Sequence, residues 1–477
     1  MSNTIPVQEQ TLALKSMLEA QRAASLRDGP PTGAHRKEAL GRLRQLLIDH
    51  QEEVATAIDH DYGHRSRHET LLGETFVTVE SIKYTVRHLD AWMKPERRSV
   101  PLQFWPARAQ VVFQPLGVVG IISPWNYPVS LAIAPLATAL AAGNRVMLKP
   151  SEYTPATSAL LARILGETFT VEQLIVVTGG TEVATAFAAL PFDHLFFTGG
   201  TATGRLVMRA ASDNLVPVTL ELGGKSPALI DSPFSLQRAA ASIAQGKLFN
   251  AGQTCIAPDY VLIPAADSDR FATLYAEAVK QLYPTLINNP DYTAVINQRH
   301  YDRLRAMVDD ARRKGAEVIE INPAREDLAE QLGRKLAPTL LLGVTDDMTA
   351  MQEEIFGPIL PVKTYGDLDE AVAYINSRPR PLALYYFGSK SSRQRQVLCR
   401  TTAGGVTIND TLLHYVSEDL PFGGVGQSGM GAYHGRDGFR TFSHQKAVMR
   451  QARLNSSGLT RPPYGKLVER MIAMLMR

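Results

Sequence analysis

Residues 118–150 read VVGIISPWNYPVSLAIAPLATALAAGNRVMLKP. A β-branched run at 118–122 stops at Ser123-Pro124, a turn signal. Residues 129–142 are small and apolar, without the alternation of a half-buried strand, and read as a helix. Gly143-Asn144 breaks that helix, and 145–148 is strand-like again. The same texture continues outward. Short β-branched or aromatic runs stand at 109–113, 174–177 and 194–197, with a small-residue helix at 155–165. Strand alternating with helix predicts a parallel α/β sheet.

From Ser226 the alternation resumes, with helices predicted at 236–248 and 267–283 and strands at 260–263 and 318–321. This is a second α/β unit. Upstream, 11–26, 35–49 and 68–92 carry apolar residues at three- and four-residue spacing, and Asp28-Gly29-Pro30-Pro31 breaks the first two apart. After Gly404 the chain turns glycine-rich, with Pro421-Phe-Gly-Gly424 suited to loops over a site. Residues 464–477 form an amphipathic helix candidate, read as a surface or partner-docking helix rather than a membrane anchor.

Composition narrows the class. The chain has 477 residues, 45% hydrophobic and 20% charged, which suits a globular protein of roughly two to four domains. A net charge of +3 gives no argument for nucleic acid or a membrane surface. No apolar run is long enough to span a bilayer, and the start lacks the pattern of a signal peptide. Two cysteines, Cys255 and Cys399, build neither a disulfide framework nor a cysteine zinc site. The expectation is a cytoplasmic enzyme-sized protein with no metal.

Five segments carry possible chemistry. In Phe249-Asn-Ala-Gly-Gln-Thr-Cys255 the cysteine follows a polar turn; it is either a nucleophile or a small buried hydrophobe. Cys399 lies in a predicted helix without partners and reads as structural. Glu221 ends an apolar run before Gly223-Gly224; it is either a desolvated general base or a strand-end carboxylate facing water. Asn126, held between Pro124 and Pro128, either donates to an oxyanion or makes a local Asx turn. Phe197-Thr-Gly-Gly-Thr-Ala-Thr-Gly-Arg205 follows a strand and opens a helix. It could bind phosphate, yet Arg205-Leu206 stands where a P-loop needs Lys-Ser/Thr, and a plain strand–helix turn reads equally well. Lys149-Pro-Ser-Glu152 ends a strand where open α/β sheets bind ligands, or is a solvated charge pair.

With Glu354-Ile-Phe-Gly-Pro358 and Pro421-Phe-Gly-Gly424, these segments occur in an order that resembles the NAD(P)-dependent aldehyde dehydrogenase superfamily over essentially the whole chain. The resemblance implies Cys255 as nucleophile, Glu221 as general base and Asn126 as oxyanion-hole amide. It places Lys149 and Glu152, with Ser151 between them, at the adenosine ribose. Gly199 and Gly204 fall beside the pyrophosphate, Glu354 and Phe356 at the nicotinamide ribose and ring, and Trp125 in the dinucleotide-pocket wall. Gly200 stands there too, where many members carry serine.

The short N-terminus, Asn250 to Tyr260 and Gly429-Met-Gly-Ala-Tyr-His-Gly435 resemble the class 3 branch, and the tail around Pro462-Pro463-Tyr464 resembles bacterial coniferyl aldehyde dehydrogenases. The expected reaction is oxidation of an aromatic or medium-chain aldehyde to the acid, with NAD favoured by Glu152 and NADP also open. A cysteine acyltransferase and a coenzyme A-acylating dehydrogenase are the alternatives; the lack of a histidine motif tied to Cys255 argues against the first and Glu221 against the second. Tyr385, Tyr386, Trp105 and Tyr415 are either pocket walls or core aromatics. The expected fold has a discontinuous Rossmann-type dinucleotide-binding domain (1–98, 114–222 and 405–440) and an α/β catalytic domain (223–404). An oligomerisation extension for a homodimer (99–113 and 441–450) and a tail (451–477) complete it.

Overall fold

The computed structural model describes residues 7–329, 331, 333–455 and 461–476. Its frame is three sheets. The first has six strands in the order Gly429–Met430, Val218–Leu222, His194–Gly199, Val118–Ile122, Arg145–Lys149 and Leu174–Val176. All pairs are parallel except the first, which is antiparallel. Val118–Ile122 is the switch point. The chain builds outward from it through Arg145–Lys149 and Leu174–Val176, then returns to its other side with His194–Gly199. A crevice forms at the carboxyl ends where the order reverses, and open α/β sheets bind ligands there.

The second sheet has seven strands: Glu317–Glu320, Thr339–Leu342, Ile359–Tyr365, Tyr260–Pro264, Pro227–Ile230, Ala383–Phe387 and Gly405–Ile408. Only Glu317–Glu320 runs antiparallel to its neighbour. Gly405–Ile408 was expected with the dinucleotide-binding unit. It instead pairs with Ala383–Tyr386 in this sheet, and the chain rejoins the six-stranded sheet only at Gly429–Met430. Strand texture alone does not say which of two similar sheets a strand joins.

The third sheet is antiparallel, with Glu96–Arg98, Arg108–Pro115 and Ser443–Arg450. Of the expected extension, 108–113 pairs with Ser443–Arg450, residues 99–107 lie outside the strands, and the sheet also recruits Glu96–Arg98. Eight register pairs join its two long strands.

The helices bury apolar stripes against these sheets. Ser130–Ala142 is buried along its whole length, as its small apolar residues require, and it lies beneath the crevice. The predicted run at 68–92 is present, but it widens to a π turn at Leu71–Phe76 between Arg67–Thr70 and Val77–Trp92. Such turns often mark functional positions. Helix Gln51–Tyr62 was passed over in the sequence; it buries Val54, Ile58 and Tyr62 on one face. The tail helix is present as Lys466–Leu475 with no buried side chain; Arg477 lies outside the described residues. Among the described residues no helix is long and apolar enough to cross a membrane.

Candidate active site

Cys255 is reached by a tight descent from helix Leu236–Leu248. Asn250, Ala251 and Gly252 all adopt positive φ, at 53°, 50° and 75°. At Gly252 a Cβ would lie 2.3 Å from the Gly357 carbonyl oxygen, so only glycine allows the approach. Strain of this kind in non-glycine residues persists where surrounding bonds hold it. Here Gln253, fully buried, holds it: its amide donates to the Asn250 and Ala294 carbonyls and accepts from the Ile296 N–H.

The Asn126 loop is fastened to the same turn. Asn126 Nδ2 donates to the Gln253 carbonyl at 3.1 Å, leaving its second amide hydrogen for another acceptor. The Asn126 carbonyl accepts from Tyr62, Arg65 and Asn250. Behind it, Glu74 accepts from Arg65 and from the Val129 and Ser130 N–H groups, at the start of helix Ser130–Ala142. Arg65 and Glu74 have no exposed side-chain surface.

Glu221 lies near the carboxyl end of Val218–Leu222, 3% exposed, and neither carboxylate oxygen has a hydrogen-bond partner. Burial pushes its pKa well above the carboxylate range. Burial, then the charges of Glu354 and Glu221, push the Cys255 thiol up to about 12, against the backbone N–H groups of Cys255 and Ile256. The Glu354 carboxyl is also raised, to about 8, by burial and then by Asp259.

Cys255 stands between two cavities. The first, of about 260 Å³, is lined by Trp125, Asn126, Gly199, Gly200, Glu221, Glu354 and Phe356, all named from the sequence. Trp125 and Phe356 meet edge to face at 5.4 Å. Gly200 precedes helix Thr201–Ser212, and a Cβ there would meet nothing within 4 Å. The buried Thr198 hydroxyl in the same wall has no partner. A helix N-terminus, an unpartnered hydroxyl and an aromatic wall suit the phosphates and planar rings of a dinucleotide.

Four expected residues do not line this cavity. Lys149 ends the neighbouring strand and Glu152 lies just beyond it, the Lys149 Nζ 2.7 Å from the Pro150 carbonyl and 3.5 Å from Glu152. Ser151 is buried and accepts from the Tyr153 N–H. Gly204 faces Leu222, whose side chain a Cβ would meet at 2.6 Å; it packs helix on strand.

The second cavity, of about 350 Å³, is mainly apolar. Leu72, Gly73 and Phe76 of the π turn, Tyr127, Phe249 and Leu412 line it with Cys255. Sequence reading did not single these out as walls: Tyr127 and Phe249 stand in the Asn126 and Cys255 segments, whereas Leu72, Gly73, Phe76 and Leu412 belong to no motif. Of the four aromatics considered, only Tyr415 lines it. Tyr385 and Tyr386 are buried within a strand, donating to the Ile256 carbonyl and to Asp231, and Trp105 stands exposed in the link between Glu96–Arg98 and Arg108–Pro115. Cys399 is exposed. His300, also missed, lines the smaller cavity with its ring 5.1 Å from Trp125; burial lowers its pKa to about 4, so it is neutral. His414 and His434 line neither cavity. Among the described residues no cluster of candidate ligands could hold a metal.

A thiol, an unpartnered buried carboxyl and a free amide hydrogen thus line one cavity, and the thiol lines a second. A family model described as the aldehyde dehydrogenase family matches residues 4–448. A probable coniferyl aldehyde dehydrogenase of Caulobacter vibrioides is 53% identical over 96% of each chain. A coniferyl aldehyde dehydrogenase of a Pseudomonas species is 50% identical over 97% of this chain and 96% of its own. The substrate-bound Staphylococcus aureus AldH superposes with a TM-score of 0.91 at 38% identity, covering 97% of this chain and 99% of that one. The NAD+ complex of a Bacillus cereus aldehyde dehydrogenase gives 0.83 at 27% identity, covering 93% and 89%.

Proposed function

The chain belongs to the aldehyde dehydrogenase family, and from that premise we propose that Cys255, Asn126 and Glu221 divide the oxidation of an aldehyde to its acid. The observation that carries this reading is the Glu221 carboxylate, buried without a partner in the cavity that also holds Cys255 and Asn126.

Cys255 Sγ gives up its proton to solvent and adds as the thiolate to the carbonyl carbon, and the π electrons move to oxygen. The free amide hydrogen of Asn126 and the Cys255 N–H receive that oxyanion; one such donor is worth roughly 10²–10³ in turnover. A nicotinamide dinucleotide, when bound, supplies the hydride acceptor. Trp125, Gly199, Gly200, Glu354 and Phe356 line its cavity, and Lys149, Ser151, Glu152 and Gly204 lie alongside. Cys255 is then held as a thioester. Glu221 takes a proton from water, the oxygen attacks the thioester carbon, and the acid leaves as the thiol is restored. Splitting the reaction at a covalent intermediate divides one hard step into two easier ones. A water-activating base has no use in transfer to coenzyme A.

The relatives' names and the apolar 350 Å³ cavity support an aromatic propenal such as coniferyl aldehyde as substrate. NAD is the preferred cofactor, because the exposed Glu152 carboxylate would repel a 2′-phosphate. The outer edge of Ser443–Arg450 has no strand partner among the described residues, which supports a homodimer built through the three-stranded sheet. A free catalytic thiol fits a reducing, cytoplasmic setting.

The test is NADH absorbance with coniferyl aldehyde, benzaldehyde, hexanal and decanal, each with NAD or NADP, with and without coenzyme A. Coenzyme A-independent NADH formation, greatest on coniferyl aldehyde and absent in Cys255→Ala, is expected. Near wild-type rates in Cys255→Ala would remove the mechanism.

A further inference from the structure

The larger cavity is mainly apolar, and at its rim two polar side chains join the exposed Leu72, Phe76, Leu413 and Val416. Gln245 and Asp410 line it, and both also line an adjoining surface cavity of about 400 Å³. They therefore mark the outer limit of the substrate tunnel.

Asp410 is placed there by strain. Asn409 and Leu412, on either side of Asp410-Thr411, both adopt φ of 63°. Asparagine tolerates that conformation; leucine does so rarely, and such residues persist where the surroundings impose them. The Asn409 side chain accepts from the Gly388 N–H, and its own N–H donates to the Tyr386 carbonyl, which fixes the turn. Thr411 presses onto helix Leu236–Leu248 opposite Gly246, where a Cβ would lie 2.3 Å from its hydroxyl. Gly246 thus brings Asp410 beside Gln245.

The hydrogen bonding of Asp410 is one-sided. Its Oδ1 accepts from the Ser242 hydroxyl at 2.6 Å and the Thr411 N–H at 2.8 Å, while Oδ2 has no partner among the described residues. The Gln245 amide has none either, and that residue is exposed. An anchored carboxylate with one oxygen left over is an acceptor held ready for a donor.

Resting on the reading above, we propose that Asp410 Oδ2, assisted by the Gln245 amide, accepts a hydrogen bond from a hydroxyl at the far end of an aromatic aldehyde. The enzyme then selects phenolic over unsubstituted aromatic aldehydes at the tunnel mouth, away from the chemistry. A hydrogen bond from a neutral hydroxyl to a charged acceptor gives about tenfold to hundredfold discrimination.

The test compares kcat/KM for 4-hydroxycinnamaldehyde, cinnamaldehyde and hexanal in wild type, Asp410→Ala and Gln245→Leu. Gln245→Leu lies on an exposed helix face and keeps the test open if Asp410→Ala unfolds. The expected result is a tenfold or greater loss on 4-hydroxycinnamaldehyde in Asp410→Ala and a smaller one in Gln245→Leu. The other two substrates should stay within about twofold. Equal loss on all three substrates would reduce Asp410 to a loop support and overturn the inference, as would no loss on any. Wild-type turnover of hexanal without preference for the hydroxylated compound would overturn it while leaving the dehydrogenase reading intact. No turnover of any aldehyde would remove both.

Discussion

Glu221 keeps a carboxyl in a buried wall with no hydrogen-bond partner among the described residues, and this raises its proton affinity. As the proposed base it works only when ionised, and burial favours its neutral form. Deacylation should therefore climb with pH through a range well above that of an ordinary carboxylate. Glu221→Gln should abolish that limb. It should still release a burst of NADH, then stall about 10²–10⁴ below the wild-type steady rate. Stopped-flow absorbance at several pH values reads both effects; an unchanged steady state would assign the water to another group. Glu221 could be singled out in the sequence because an apolar run ended on it before two glycines. The absence of any partner could not, since that depends on the residues the fold places around it.

At the scale of elements, the π turn Leu71–Phe76, helix Ser130–Ala142 and the Cys255 turn are joined through Arg65 and Glu74. Glu74 satisfies the first N–H groups of the buried helix, where a negative charge is favoured. Arg65 reaches from Glu74 to the Asn126 carbonyl. Glu74→Gln leaves a buried guanidinium without its counter-charge and should cost about 3–5 kcal/mol, seen in the denaturant midpoint. Arg65→Met combined with Glu74→Leu should recover part of that loss, and a midpoint unchanged in the single variant would show the pair to be dispensable. None of this was legible beforehand, because Arg65 lies in the short link between Gln51–Tyr62 and Arg67–Thr70 and Glu74 in a helical run, neither of them in a motif. The strands around the crevice were legible, because glycine and proline bound their β-branched runs. The front walls at Leu72, Phe76, Phe249 and Leu412 were not: they are ordinary apolar residues drawn from distant parts of the chain.

Across the whole molecule, the two α/β sheets bring six-stranded and seven-stranded halves together around one sulfur. Which half each late strand joins is decided by pairing, as Gly405–Ile408 shows, and not by its composition. The two cavities have only Leu131 and Cys255 in common. Traffic on one side therefore need not wait for the other to clear. A long-chain carboxylic acid lodged in front of the thiol should compete with aldehyde yet leave the dinucleotide free to dock behind it. Initial-rate inhibition by decanoate should accordingly be competitive against aldehyde and noncompetitive against NAD. Competition against both would mean a single shared doorway, whereas two doorways let the spent acid depart without first evicting the coenzyme.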